Sequence, residues 1–172
     1  MAASEIVDVV DADDRVIGRA TRAEVRAQRL RHRATYILVF NARGQLFVHQ
    51  RTPTKDVYPS YYDVAVGGVV GTGEGYDAGA QRELAEELGI TGVRPRPILR
   101  FQYEDGDNRV NGRVYSCSYD GPLTLQQEEI ASGEWLDLDV VLERVRQLPF
   151  CPDGVEALLR YVDRLASVSL DQ

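Results

Sequence analysis

Two cysteines, Cys117 and Cys151, and two histidines, His32 and His49, are all the Cys and His this 172-residue chain contains. The cysteines form no CxxC pair and the histidines lie far apart, which removes support for a zinc site built from them. Two isolated thiols read as free thiols of a reducing cytoplasm, not as a disulfide framework. No run of 18 apolar residues occurs, so no membrane span is expected. The start, MAASEIVDVVDADD, lacks a basic region followed by an apolar run, so it does not read as a signal peptide. Basic residues are in deficit, 20 Lys and Arg against 27 Asp and Glu, for a net charge of −7. A nucleic-acid polymer is therefore not an expected partner. A polyphosphate, for the same reason, would need a local cation to approach.

What remains is the composition of an ordinary globular domain, 44% hydrophobic and 27% charged, long enough for one real core. No repeat, low-complexity tract or linker divides it. Glu5–Val10 and Val16–Ala20 flank Asp11-Ala12-Asp13-Asp14 and read as a hairpin. Thr21 is placed to cap a short helix running to about Leu30. The continuous apolar run Ala34–Phe40 predicts a strand buried on both faces, turning at Asn41–Gly44 into a second strand, Gln45–Gln50. Val64–Val70 reads as a further strand. Ile98–Tyr103 and Val110–Tyr119 predict a hairpin around Glu104–Asn108. Trp135 falls in a short strand, and helices near Val140–Gln147 and Gly154–Ala166 finish the chain. Strands and helices in this order predict a mixed sheet with helices on both faces.

The densest chemistry lies in Gly68–Ile90, GVVGTGEGYDAGAQRELAEELGI. Glu83, Glu86 and Glu87 stand at i, i+3 and i+4 of a predicted helix, within roughly 100° of one face. Ala78, Leu84, Ala85 and Leu88 form the arc expected to be buried. Gly89 stands where a left-handed cap ends such a helix. Carboxylates crowded toward a helix C-terminus oppose the macrodipole and one another. Uncompensated clustering of this kind marks a functional site. Hard oxygen ligands so arranged suit Mg²⁺ or Mn²⁺.

Gly68, five residues, Glu74, seven residues, Arg82-Glu83-Leu84, one residue, Glu86-Glu87, one residue, Gly89-Ile90: this pattern resembles the Nudix box at every defined position. The resemblance implies an α/β/α sandwich around a mixed β-sheet, and metal-assisted cleavage of a nucleoside diphosphate linked to another moiety. It implies Glu83, Glu86 and Glu87 as metal ligands, with the Gly68 carbonyl assisting. It implies an Arg82–Glu74 ion pair that ties loop to helix. Glu86 or Glu87 can serve as general base, or an acid from a later loop can, for which Glu128 and Glu129 are candidates.

The first half, roughly residues 5 to 90, resembles the isopentenyl-diphosphate isomerase branch of that superfamily, with a hairpin-and-helix extension over about residues 1–33. In that branch an Arg and a Lys contact a diphosphate, a role that Arg51 and Lys55 inherit. The isomerase also needs a Cys just before the box and a His at its first position. Val66 and Gly68 stand there and cannot transfer protons. The expectation is a hydrolase acting on a small nucleotide, as a monomer or homodimer. Prenyl-diphosphate isomerisation and a catalytically silent binding module are the alternatives. Tyr58, Tyr61 and Tyr62 are available to stack on a base, and Phe101 and Tyr103 to line the same cleft. Asp105 and Asp107 read as turn residues, and His32 as a satisfied histidine at a strand start.

Overall fold

The computed structural model describes residues 3–170; Met1 and Ala2, at the head of the acidic start, lie outside the described residues. Strands β1 (Ile6–Val10) and β2 (Val16–Thr21) pair antiparallel. Asp11 closes their turn by accepting from the backbone N–H groups of Asp13 and Arg15. Thr21 then caps α1 (Arg22–Ala27) through a reciprocal capping box with Glu24, which satisfies two otherwise orphaned donors.

Strand β3 (His32–Phe40) is the buried apolar run, and its two faces feed two cores. Asn41 turns it into β4 (Leu46–Arg51) by accepting from Arg43 and Gln45 N–H at 3.0 Å each. A two-residue strand, β5 (Tyr62–Asp63), pairs with β4. Helix α2 (Tyr76–Leu88) ends at Gly89 in the left-handed conformation. The hairpin β6 (Arg96–Glu104) and β7 (Arg109–Ser118) follows, with β7 running parallel to β3 from His32 to Phe40. Strand β8 (Ile130–Leu136) pairs with β4, and α3 (Leu138–Arg144) and α4 (Pro152–Leu170) close the chain. The sheet is thus mixed, as its sequence order required. Ala80, Leu84 and Leu88 of α2 pack with Ile37, Val39 and Tyr115 on one face. Val141, Ala157 and Leu158 of α3 and α4 pack with Leu38, Leu46 and Val114 on the other. Full burial of a leucine such as Leu84 or Leu88 contributes about 1.5–3 kcal/mol.

Two expectations need correction. Val64–Val70 is not a strand: it runs beside β3 and meets it only through bridges at Val66 and Val69. The break comes at Gly67, whose φ of 143° an L side chain rarely adopts, and where a Cβ would collide with the Thr35 carbonyl. The buried stripe of α2 also differs. Ala78 and Ala85 face solvent, whereas Gly79, Ala80, Glu83 and Glu87 are buried. The helix is therefore turned so that two of its glutamates, and not Ala78 and Ala85, face inward.

Candidate active site

The loop before α2 is fastened to the helix by a single side chain. Arg82 Nε donates to Glu74 Oε1 at 2.8 Å, Nη2 donates to Glu74 Oε2 at 3.0 Å, and Nη2 also reaches the Val69 carbonyl at 3.3 Å. Burial alone would raise the Glu74 carboxyl, but Arg82 and the Gly71 N–H outweigh it and hold it below its ordinary range. A bidentate guanidinium–carboxylate pair of this kind fixes orientation as well as charge.

Glu83 and Glu87, one turn apart on α2, are 8% and 7% exposed. Burial pushes both carboxyls above the usual carboxylate range, Glu87 furthest, and the neighbouring Glu83 raises Glu87 again. Glu86 is half exposed and turned to Arg82, whose Nη1 stands 3.1 Å from Glu86 Oε2 and 2.8 Å from Glu83 Oε1. Gly68 leaves room for this arrangement, because a Cβ there would stand 2.8 Å from Glu83 Oε1. Its carbonyl accepts from the Thr35 N–H at 2.9 Å.

Across the cleft stands Glu129, on the turn before β8, where Thr52 N–H donates to its carbonyl at 3.1 Å. Its carboxylate is ion-paired with Lys55. Glu128 is exposed and contributes only its carbonyl, to Thr52 Oγ1. Glu83, Glu86, Glu87, Glu129 and Lys55 border one cleft with Gly68. Among the described residues, no three His, Cys, Asp or Glu side chains are disposed to ligate one ion as they stand. Arg82 and Lys55 occupy the carboxylates instead. Two buried carboxylates of like charge beside the Gly68 backbone nevertheless fit a divalent cation.

Arg51, at the end of β4, and Lys55 line an adjoining cavity. Arg51 Nη2 donates to the Val57 carbonyl at 3.0 Å, and its Nε is buried with no hydrogen-bond partner. Arg22 and Arg26 of α1 join them, both paired with Asp56. The sequence reading missed these two arginines; the Thr21 capping box, which sets Arg22 and Arg26 one turn apart, is the signal that points to them. The aromatic expectations are partly displaced. Tyr58 lines the cavity and its hydroxyl bonds Asp105, with its ring against Tyr61. Tyr62 instead packs on Phe150, and Phe101 on Tyr36, both in the core beneath α4. Tyr103 bonds Asp105, which also accepts from the Asp107 and Asn108 N–H groups and so makes the turn. His32 Nδ1 meets the Leu30 carbonyl at 3.0 Å, and both cysteines are free and buried. No helix among the described residues is long and apolar enough to cross a membrane.

Residues 30–153 match the model of the NUDIX domain family. The chain is 44% identical to the uncharacterized Nudix hydrolase PA4841 of Pseudomonas aeruginosa over 160 residues, 93% of this chain and 95% of that one. Among solved structures it is similar to DR0079 from Deinococcus radiodurans, with a TM-score of 0.80, 28% identity and coverage of 91% and 98% of the two chains. The Nudix domain of Shewanella oneidensis NrtR, solved in complex with ADP ribose, shares the fold at a TM-score of 0.64 and 16% identity, over 85% of this chain and 99% of that one.

Proposed function

The chain belongs to the Nudix hydrolases, enzymes that act on phosphorus-containing acid anhydrides, and from that premise we propose that it cleaves a small nucleotide with the aid of Mg²⁺ or Mn²⁺. The substrate is a nucleoside di- or triphosphate or a nucleotide conjugate, and the product a nucleoside monophosphate. The observation that carries this reading is the pair Glu83 and Glu87, buried side by side on α2 at a cleft that Lys55 and Glu129 also border. Arg82 pairs with Glu83, the more deeply buried Glu87 forms no ion pair among the described residues, and the repulsion between the two carboxylates calls for a further cation.

Glu83, Glu86 and Glu87 would hold the ion, with the Gly68 carbonyl assisting; Glu86, being half exposed, is free to turn from Arg82. A divalent ion there supplies charge to the phosphoryl oxygens and acidifies water. Arg82 keeps the helix and its loop in register. Arg51 and Lys55 bind phosphate oxygens as charge-assisted donors. When substrate phosphate takes Lys55, Glu129 loses its partner and becomes available to accept the proton of the attacking water. Glu86 and Glu87 remain the other candidates for that proton.

The ordered hairpin and α1, together with the cavity position of Arg51 and Lys55, support an N-terminal half like that of the isopentenyl-diphosphate isomerase branch, joined to the rest as one domain. Val66 and Gly68 leave that scaffold without the isomerase acids. Two buried free thiols support a reducing, cytoplasmic setting. The reading is tested on a panel of nucleoside di- and triphosphates and nucleotide sugars with Mg²⁺, with and without chelator. Turnover of nucleotides that chelator abolishes is expected. No turnover of any nucleotide, or turnover of isopentenyl diphosphate to its isomer, would overturn it.

A further inference from the structure

Four cations, Arg22, Arg26, Arg51 and Lys55, line one cavity together with groups of opposite charge. The cavity volume is about 80 Å³, below that of sites that enclose a whole ligand, so only one part of a larger molecule enters it. Two carboxyls from distant parts of the chain line the cavity, Asp63 of β5, partly buried, and Asp153 at the start of α4, buried. Asp153 accepts three hydrogen bonds. Its Oδ2 accepts from Tyr36 Oη at 2.8 Å and Asn108 Nδ2 at 3.2 Å, and its Oδ1 from the Gly154 N–H at 3.1 Å. Asp63 accepts fewer. Its Oδ1 accepts from the Ala65 N–H at 3.2 Å and the carboxyl meets the Cys151 thiol. Its Oδ2 stands 4.0 Å from Arg51 Nη1, beyond hydrogen-bond reach. A carboxylate offers about four acceptor sites, so Asp63 keeps capacity for further donors. Arg26 Nε stands 3.5 Å from Asp56 Oδ2 in an ion pair, whereas Arg51 Nε is a buried donor without a hydrogen-bond partner. Buried polar groups in this state are normally satisfied by something.

The structure assigns this cavity as a subsite for a sugar esterified to phosphate, in which Asp63 accepts hydrogen bonds from a vicinal pair of sugar hydroxyls. The proposal rests on the nucleotide reading above and narrows it. The Arg51 guanidinium lines the cavity and lies 4.0 Å from Asp63. A ligand that touches both therefore presents to Asp63 the group attached directly to its phosphate, which in a nucleotide is the sugar and not the base. A vicinal diol supplies two donors to one carboxylate, the chemistry by which an acidic residue holds a ribose. A carboxylate-bearing or wholly apolar group would leave Asp63 repelled or unpaired. Ala34, Val66 and Val110 give the wall an apolar surface for the sugar's C–H face.

The test compares ribose and 2′-deoxyribose versions of one nucleotide, ADP with dADP and CDP with dCDP, under Mg²⁺. The wild type is expected to favour the ribose member in kcat/KM by about tenfold or more, because a site built to hydrogen-bond a hydroxyl rejects the analogue that lacks it. Asp63→Asn is expected to bring that ratio to within about threefold, through a higher KM for the ribose member with little change for the deoxy one. Equal use of both sugars by the wild type, or an unchanged ratio in Asp63→Asn, would overturn the proposal while leaving nucleotide hydrolysis standing. The wild-type ratio decides even where the variant does not fold. Where no nucleotide is turned over, the proposed function falls separately, and NMR titration with ribose 5-phosphate and 2-deoxyribose 5-phosphate decides the subsite. Shifts at Asp63 and Arg51 with the ribose ester alone support it, and equal or absent shifts overturn it.

Discussion

Lys55 and Glu129 form an ion pair that joins the loop after β4 to the turn before β8. In the proposed mechanism both partners are needed apart, Lys55 on phosphate and Glu129 on water. Lys55→Ala is expected to raise KM on the order of tenfold, the size of one lost charge-assisted hydrogen bond. Glu129→Gln is expected to lower kcat on the order of a hundredfold. Steady-state kinetics of both variants within threefold of wild type would remove this pair from the mechanism. Lys55 is the chain's only lysine, so acylation of its side-chain amine, slowed by bound nucleotide, gives an independent reading of the contact.

Glu87→Gln should separate activity from stability. The substitution removes a charge that burial and Glu83 both disfavour, so the metal-free protein should melt no lower than wild type. Its kcat should fall on the order of 10²–10⁴-fold, because the charge that holds metal or takes a proton is gone. Mg²⁺ or Mn²⁺ should raise the wild-type melting temperature by mass action and the variant's less. Thermal scans with and without chelator check both statements. A large loss of metal-free stability with activity intact would reverse the assignment.

His49 should make the fold acid-sensitive. Burial, then the charges of Arg51 and Lys55, lower its pKa from 6.5 to about 3, and burial lowers His32 to about 4. Both therefore stay neutral in the folded chain. Each contribution is fully present above pH 6.5 and is lost as the pH falls from there toward the folded value. Against His49→Leu, wild-type stability should decline by about 1.4 kcal/mol per pH unit between pH 6 and 4. The comparison cancels the opposite trend from Asp63, whose pKa burial and Asp153 raise to about 7. Denaturant melts across that range that stay parallel for the two proteins would show that His49 is protonated when folded.

Gly67→Ala should destabilise the chain beside the site. Its φ of 143° strains any L residue, at a cost of about 1–3 kcal/mol, and the added methyl meets the Thr35 backbone. Equilibrium unfolding measures the loss. A variant as stable as wild type would mean that the Val64–Val70 segment adjusts freely.

The sequence made legible what local chemistry fixes. The capping box at Thr21, the apolar run of β3 and the left-handed Gly89 all set structure within a turn or two. The spacing of Arg82 and Glu74 likewise needed only the helix and the loop before it. Val64–Val70 misled because its β-branched residues alternate like a strand, while Gly67 breaks the ladder against β3. Tyr62 and Phe101 misled because an aromatic's destination is set by which face of the sheet it leaves. Asp63 and Asp153, which meet across 90 residues, carry no local signal at all.

The central claim is that this chain hydrolyses a nucleotide phosphoanhydride with metal held by Glu83, Glu86 and Glu87. Turnover in ¹⁸O-labelled water with Mg²⁺, with mass spectrometry of the products and a parallel arm in excess chelator, tests it most directly. The account expects label in one phosphate-bearing product of anhydride cleavage, and none in the chelator arm. Label only in products of phosphomonoester cleavage with the anhydride intact, or turnover undiminished by chelator, would contradict it.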